Sequence, residues 1–288
     1  MSGPELVTPE LLRGWPLPDP AGSKKARGQV VVIGGAARTP GGVALAGLAA
    51  LRAGAGHLQL AVAASVAPSL AATFPEAGVI PLPHNEKGTI LGAPSATVCA
   101  ETVAGADAVL IGPGLDDADE ADALLEGLLR HVDDKTGLVL DAYTLGVLAN
   151  HRDAVNERSL RPVLTPNAAE LERLLGRDCE NPGLEDVVEV AKKFSSCVSA
   201  QAMVADPDGQ TWRIPSGHPG LATAGSGDVL AGVVVGLLAR GAEPAQAACW
   251  ATYLHSTAGE RLASTIGEVG FLARELVDQV PAVLLELS

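Results

Sequence analysis

Short apolar runs alternate with longer Ala- and Leu-rich stretches along most of the chain. QVVVIGG (29–35), HLQLAVA (57–63), ADAVLIGPG (106–114), GLVLDAYTL (137–145) and PVLTPN (162–167) are dominated by apolar residues. Such runs mark strands covered on both sides, as in a parallel sheet. Between them, GGVALAGLAALRAGAG (41–56), EADALLEGLLRHV (120–132), AAELERLLG (168–176) and LEDVVEVAKKFSS (184–196) read as helices. VTPELLRGW (7–15) predicts a short helix with Thr8 as cap and Pro9 in its first turn, followed by loop over 17–28. VSAQAMVADPDGQTWRI (198–214) predicts a hairpin turning at DPDG (206–209). An apolar helix then follows TAGSGD, with two more near 243–262 and 270–285.

The alternation predicts an α/β fold: a mainly parallel central sheet with helices on both faces, three layers in all. No repeat, low-complexity linker or composition break interrupts it, so one domain over 1–288 is expected, with 1–28 as a helix-and-loop lead-in. The chain is 47% hydrophobic but only 3% aromatic, so its core is built from Ala, Val and Leu with closely packed backbones. A net charge of −14 argues against a nucleic-acid surface, which needs a basic stripe. It leaves room for a phosphorylated small molecule held by backbone amides and a metal. The one dense basic cluster, SKKARG (23–28), reads as a solvated lead-in to the first long strand. The four cysteines form no CxxC pair, which argues against structural zinc. No signal-peptide core or membrane-length apolar run is seen, so a cytoplasmic chain with reduced thiols and no membrane partner is expected.

In open parallel sheets ligands bind beyond the carboxyl ends of the strands. IGG, IGPG, LDAY, LTPN and AGSGD all fall there. In TAGSGDVLAGVVVGLLARG (223–241) a single acid, Asp228, stands between glycines and an apolar run. Gly225 and Gly227 leave amide N–H groups uncovered, and a helix starting at Gly227 or Asp228 aims them at one spot suited to a phosphate. Asp228 beside that spot can accept a proton from a hydroxyl attacking the phosphate; the plainer role is a helix cap. The helix behind it has no polar side chain, which predicts burial along its length and an N-terminus pointing into a cleft.

Asn167 and Glu170, in TPNAAE, can together orient a hydrated magnesium and a phosphate, or Thr165 or Asn167 simply caps the helix with Glu170 in a capping box. Asp141, in LDAY, sits at a strand end near the metal or substrate, or forms a turn. No GK[ST] follows the glycine turns, so there is no Walker loop, and GAGAGH is not a GxGxxG fingerprint. His255, in YLHSTAG, reads as a satisfied core histidine.

The order of these motifs resembles the ribokinase-like superfamily and, within it, the NAD(P)H-hydrate dehydratase family of metabolite repair. AGSGDVLAGVVVGLLARG, YLHSTAGE and GFLARELVDQVP carry most of the likeness, which runs from about Gln29 to the C-terminus. The resemblance implies that ADP or ATP, with Mg2+, phosphorylates the ring hydroxyl of hydrated NADH or NADPH, after which phosphate leaves. It makes Asp228 the base and sets Gly225, Ser226 and Gly227 at the nucleotide phosphates. Gly42, Gly114 and Asn167 fall on its dinucleotide-contacting positions, and relatives form homo-oligomers. The family pattern differs at four places: TPN stands for TPH, DAY for DAD and AGSGD for GGTGD, and Val198 and Ser199 fall in a nucleotide-gripping segment where a lysine is usual. Three readings therefore stand side by side: the dehydratase, a hydroxymethyl or hydroxyethyl kinase of the same fold, and a dinucleotide-binding relative without turnover.

Overall fold

A computed structural model describes residues 3–19, 22–158 and 160–287. In chain order its elements are β1 (Glu5–Leu6), α1 (Pro9–Gly14), β2 (Gln29–Ile33), α2 (Gly41–Arg52), β3 (His57–Ala63), α3 (Ala67–Thr73), β4 (Ala77–Leu82), α4 (Gly92–Ala104), β5 (Ala108–Ile111), α5 (Ala118–Leu129), β6 (Gly137–Leu140) and α6 (Tyr143–Val147). They continue with α7 (Arg152–Glu157), β7 (Val163–Leu164), α8 (Ala168–Leu175), α9 (Leu184–Lys193), β8 (Cys197–Ala200), β9 (Met203–Ala205), β10 (Thr211–Arg213), α10 (Ser226–Ala239), α11 (Pro244–Thr265) and α12 (Ala273–Leu287).

The ten strands form one sheet in the order β1-β10-β9-β8-β7-β6-β5-β2-β3-β4. The pairings from β4 through β8 are parallel, and only β9 runs against the rest. Alternate residues of one strand feed two separate cores. Val30 and Val32 of β2 point toward α2, α10, α11 and α12, whereas Val31 and Ile33 join the core under α4, α5, α8 and α9. This is the three-layer arrangement the apolar runs predict, because a strand buried on both faces has no polar side to display.

Several boundaries differ from expectation. The run 137–145 is a strand only to Leu140; after Asp141 the chain turns and Tyr143 opens a helix. The segment 198–214 holds two turns rather than one. Gln201 and Ala202 both adopt left-handed backbone (φ +49° and +61°) and join β8 to β9, before 206–210 turns β9 into β10. Thr8 caps α1 as expected, accepting the Leu11 N–H at 3.2 Å.

The strand order reverses at β2. The chain proceeds outward to β3 and β4, then returns to lay β5 on the other side of β2. A crevice opens at such a reversal beyond the strand ends. Here it is lined by Gly34 and Gly35 after β2 and by Gly112 and Gly114 after β5, all with positive φ.

Candidate active site

The glycine turns at the crevice are in direct backbone contact. Gly35 N–H donates to Pro113 O at 2.8 Å, and Ala36 N–H and the Thr39 hydroxyl both donate to Gly114 O, each at 2.8 Å. A Cβ on Gly114 would lie 2.2 Å from Thr39 O, so no larger residue fits. Gly114 therefore holds the floor of the crevice through its backbone.

The apolar helix over the crevice is α10, buried from Val229 onward except for the partly exposed Leu230. It packs backbone to backbone on α2: a Cβ on Gly232 would come within 2.3 Å of Ala46 O, and one on Gly236 within 2.6 Å of Ala50 O. That contact sets the heads of the two helices side by side. It brings Gly42, in the first turn of α2, against the Asp228 carboxylate, where a Cβ would lie 2.9 Å from Oδ1.

Gly225 enters α10 with φ +88°, and the helix starts at Ser226, a residue or two earlier than the sequence suggests. No side chain caps this terminus; the Ser226 N–H donates to Thr223 O at 3.2 Å, and the Gly227 and Asp228 amides remain for a ligand or solvent. Gly227 is exposed, and nothing lies within 4 Å of where its Cβ would be. Ser226 points the other way. Its hydroxyl lies 2.9 Å from His255 Nε2, which is also 3.0 Å from Ser226 O. Burial holds the His255 pKa down to about 4, so the imidazole is neutral at physiological pH. His255 is thus a satisfied core histidine whose partner is the turn that presents the amides.

Three carboxylates meet beneath this terminus. Asp141, at the end of β6, is buried and accepts the Thr165 hydroxyl at 2.9 Å. Burial, then the charges of Glu170 and Asp228, push it up to about 7. Burial and, second, the Glu170 charge push Asp228 up to about 6. Raised values on neighbouring acids in a cleft are what a proton-transfer site needs.

Asn167 and Glu170 form the capping box of α8: Glu170 N–H donates to Asn167 Oδ1 at 3.0 Å and Asn167 N–H to Glu170 Oε2 at 2.9 Å. Glu170 still faces the other two acids electrostatically. No group of three or more His, Cys, Asp or Glu among the described residues has metal-holding geometry.

Val198 and Ser199 are not brought to this cleft by their side chains. Val198 is sealed in the core, and the Ser199 hydroxyl is 2.7 Å from that of Thr252 under α11. Two residues behave in ways the sequence does not announce. Thr165 binds Asp141 rather than capping α8. Ala142 takes φ 53°, ψ −124°, a strained conformation for a residue with a Cβ, and so redirects the chain between Asp141 and Tyr143. An alanine carries no signal for that geometry.

A parallel sheet with glycine turns at its strand reversal, and a buried helix aiming free amides past an acid, define a ribokinase-like α/β protein. The NAD(P)H-hydrate dehydratase family model matches residues 30–282, and the chain belongs to that family. It is 45% identical to the ADP-dependent (S)-NAD(P)H-hydrate dehydratase of Xanthomonas campestris over 99% of this chain and 98% of that one. It is 36% identical to a bifunctional NAD(P)H-hydrate repair enzyme of Salinibacter ruber, covering 94% of this chain but only 51% of that enzyme. The fold matches the ADP/ATP-dependent NAD(P)H-hydrate dehydratase of Bacillus subtilis, crystallised with ATP and Mg2+, with a TM-score of 0.83 at 26% identity over the whole of both chains.

Proposed function

We propose that the chain restores hydrated NADH or NADPH in a nucleotide-dependent dehydration, acting as one domain. The observation that carries this is the Asp228 carboxylate, set between Gly42 and the uncapped head of α10, with open space above Gly227. In the reading, the ring hydroxyl loses its proton to Asp228 as its oxygen attacks the terminal phosphorus of ADP or ATP, releasing AMP or ADP. The new ester then expels inorganic phosphate, and loss of a proton from the adjacent ring carbon restores the double bond. The amides of Gly225 and Gly227 stabilise charge on the transferring group, that of Ser226 being held by Thr223 O, and Gly42, Gly114 and Asn167 lie along the dinucleotide.

The donor set suits magnesium held mainly through water and phosphate oxygens, because Asn167 and Glu170 already bind each other and no all-protein cage is present among the described residues. Glu170 and Asn167 would hold such an ion through water, and the ion would neutralise phosphate charge when bound. Cytoplasmic location and homo-oligomeric assembly belong to the same reading; among the described residues no helix is long and apolar enough to cross a membrane.

The test is recovery of the reduced-nicotinamide absorbance from hydrated NADH or NADPH with Mg2+ and either ADP or ATP. Nucleotide-dependent recovery supports the dehydratase and identifies the donor. A stable phosphorylated product would support the kinase reading, and dinucleotide binding without turnover the inactive one.

A further inference from the structure

A second cavity, of about 620 Å3, opens beside the catalytic carboxylates. It shares Ala142 and Glu170 with them and is lined also by Leu115, Tyr143, Gly146 and Arg173. Two features set it apart from an ordinary surface hollow. The strained backbone of Ala142 turns Tyr143 out at the head of α6, where it stays 43% exposed. Arg173, one turn along α8 from Glu170, has no ion-pair partner among the described residues, whereas nearby Arg177 pairs with both Asp186 and Glu189. An aromatic face and an unpaired guanidinium thus share one cavity contiguous with the site of phosphoryl transfer.

That pairing matches an aromatic base carrying a phosphate. Aromatic side chains stack on bases, and arginine binds phosphate through paired N–H donors. We propose that this cavity binds the adenosine half of the dinucleotide, with Tyr143 stacked on the base and Arg173 on a phosphate. The assignment rests on the dehydratase reading for its ligand, but not for its test. A dinucleotide offers two phosphate sources, the pyrophosphate and, in the phosphorylated form, the 2′-phosphate. One guanidinium serves either.

The experiment is calorimetric titration of the purified protein with NAD+ and NADP+ while a non-hydrolysable ATP analogue with Mg2+ fills the phosphoryl-donor site. Tyr143→Ala is expected to weaken both dinucleotides by about tenfold, with Tyr143→Phe near wild type. Arg173→Ala is expected to weaken NADP+ alone if it holds the 2′-phosphate, or both if it holds the pyrophosphate. Gly146→Phe blocks the same space from another wall; no atom lies within 4 Å of where its Cβ would be, so the fold has room for the first atom of the new side chain. Loss of binding in that variant, with an unchanged melting temperature, supports the site. Affinities within twofold of wild type in Tyr143→Ala, Arg173→Ala and Gly146→Phe would overturn it. Tyr143- and Arg173-dependent binding in a protein that restores no hydrated NADH keeps the cavity and removes the dehydratase reading. Normal turnover and binding in all three variants does the reverse.

Discussion

In the proposed reaction Asp228 must be ionised when a hydroxyl arrives and hold a proton afterwards. A carboxyl pushed up to about 6 by burial and by Glu170 is better matched to that task than an ordinary surface aspartate. Asp228→Asn removes the proton acceptor while keeping size and helix placement. Turnover should fall by about a thousandfold, within the range for loss of a general base, with nucleotide affinity little changed. Calorimetry beside a steady-state assay separates the two; near-normal turnover would take Asp228 out of the mechanism. The pH profile offers an independent check. In the wild type, kcat/KM should fall on the acid side with a midpoint near 6. Glu170→Gln removes the charge that helps hold Asp228 up, yet keeps a side chain able to complete the capping box. Its acid limb should therefore move to lower pH, and an unmoved limb would mean that another group controls it.

The head of α10 works only because the rest of the helix is fixed, and its glycines divide into two kinds. Gly232 faces α2, where a Cβ would meet Ala46 O at 2.3 Å. Gly227 faces open space at the uncapped end of the helix. Gly232→Ala should lower stability by about 3 kcal/mol, since two backbones must part. Gly227→Ala should leave stability unchanged or raise it by up to about 1 kcal/mol, because alanine is the better helix former. It should nonetheless raise the KM for nucleotide by crowding the amides. Urea unfolding and nucleotide kinetics on the two variants read these opposite outcomes directly. The same division explains what could be read from sequence. A strand buried on both faces and a helix buried nearly all round declare themselves by apolar runs, so β2, β3, β5, β6 and α10 were legible, as was the acid at the α10 head. Edge strands and strained turns do not. β4 contains Pro81, tolerated because β4 lies at the sheet edge, and β1 is two residues long. The turn at Gln201 and Ala202 takes left-handed backbone without glycine or asparagine to announce it. Val198 and Ser199, placed at the nucleotide by likeness of position, are core residues because strand alternation turns each into a packed layer.

Across the whole molecule, the acids brought together by β6, α8 and α10 make stability depend on pH in a direction opposite to that of a salt-bridged aspartate. An aspartate in the unfolded chain titrates near about 3.9, whereas folded Asp141 titrates at about 7. Between those values the folded protein binds more protons than the unfolded chain, so stability falls as pH rises from about 4 to 7 and then levels off. Asp141→Asn keeps an oxygen for the Thr165 hydroxyl but cannot ionise. Without magnesium or nucleotide, the variant should be more stable than wild type at pH 8, and the advantage should shrink by about 3 kcal/mol on going to pH 5. Urea unfolding at the two pH values in a chelator measures it, and an advantage that stays constant would show that Asp141 does not titrate in this window. Adding magnesium and nucleotide at pH 8 should then stabilise the wild type more than the variant, because a ligand that binds only the folded state raises its stability and the ion relieves the repulsion Asp141 contributes. In the proposed reaction, Asp141 is therefore kept buried beside Glu170 and Asp228 at a cost in stability that a bound magnesium ion would offset.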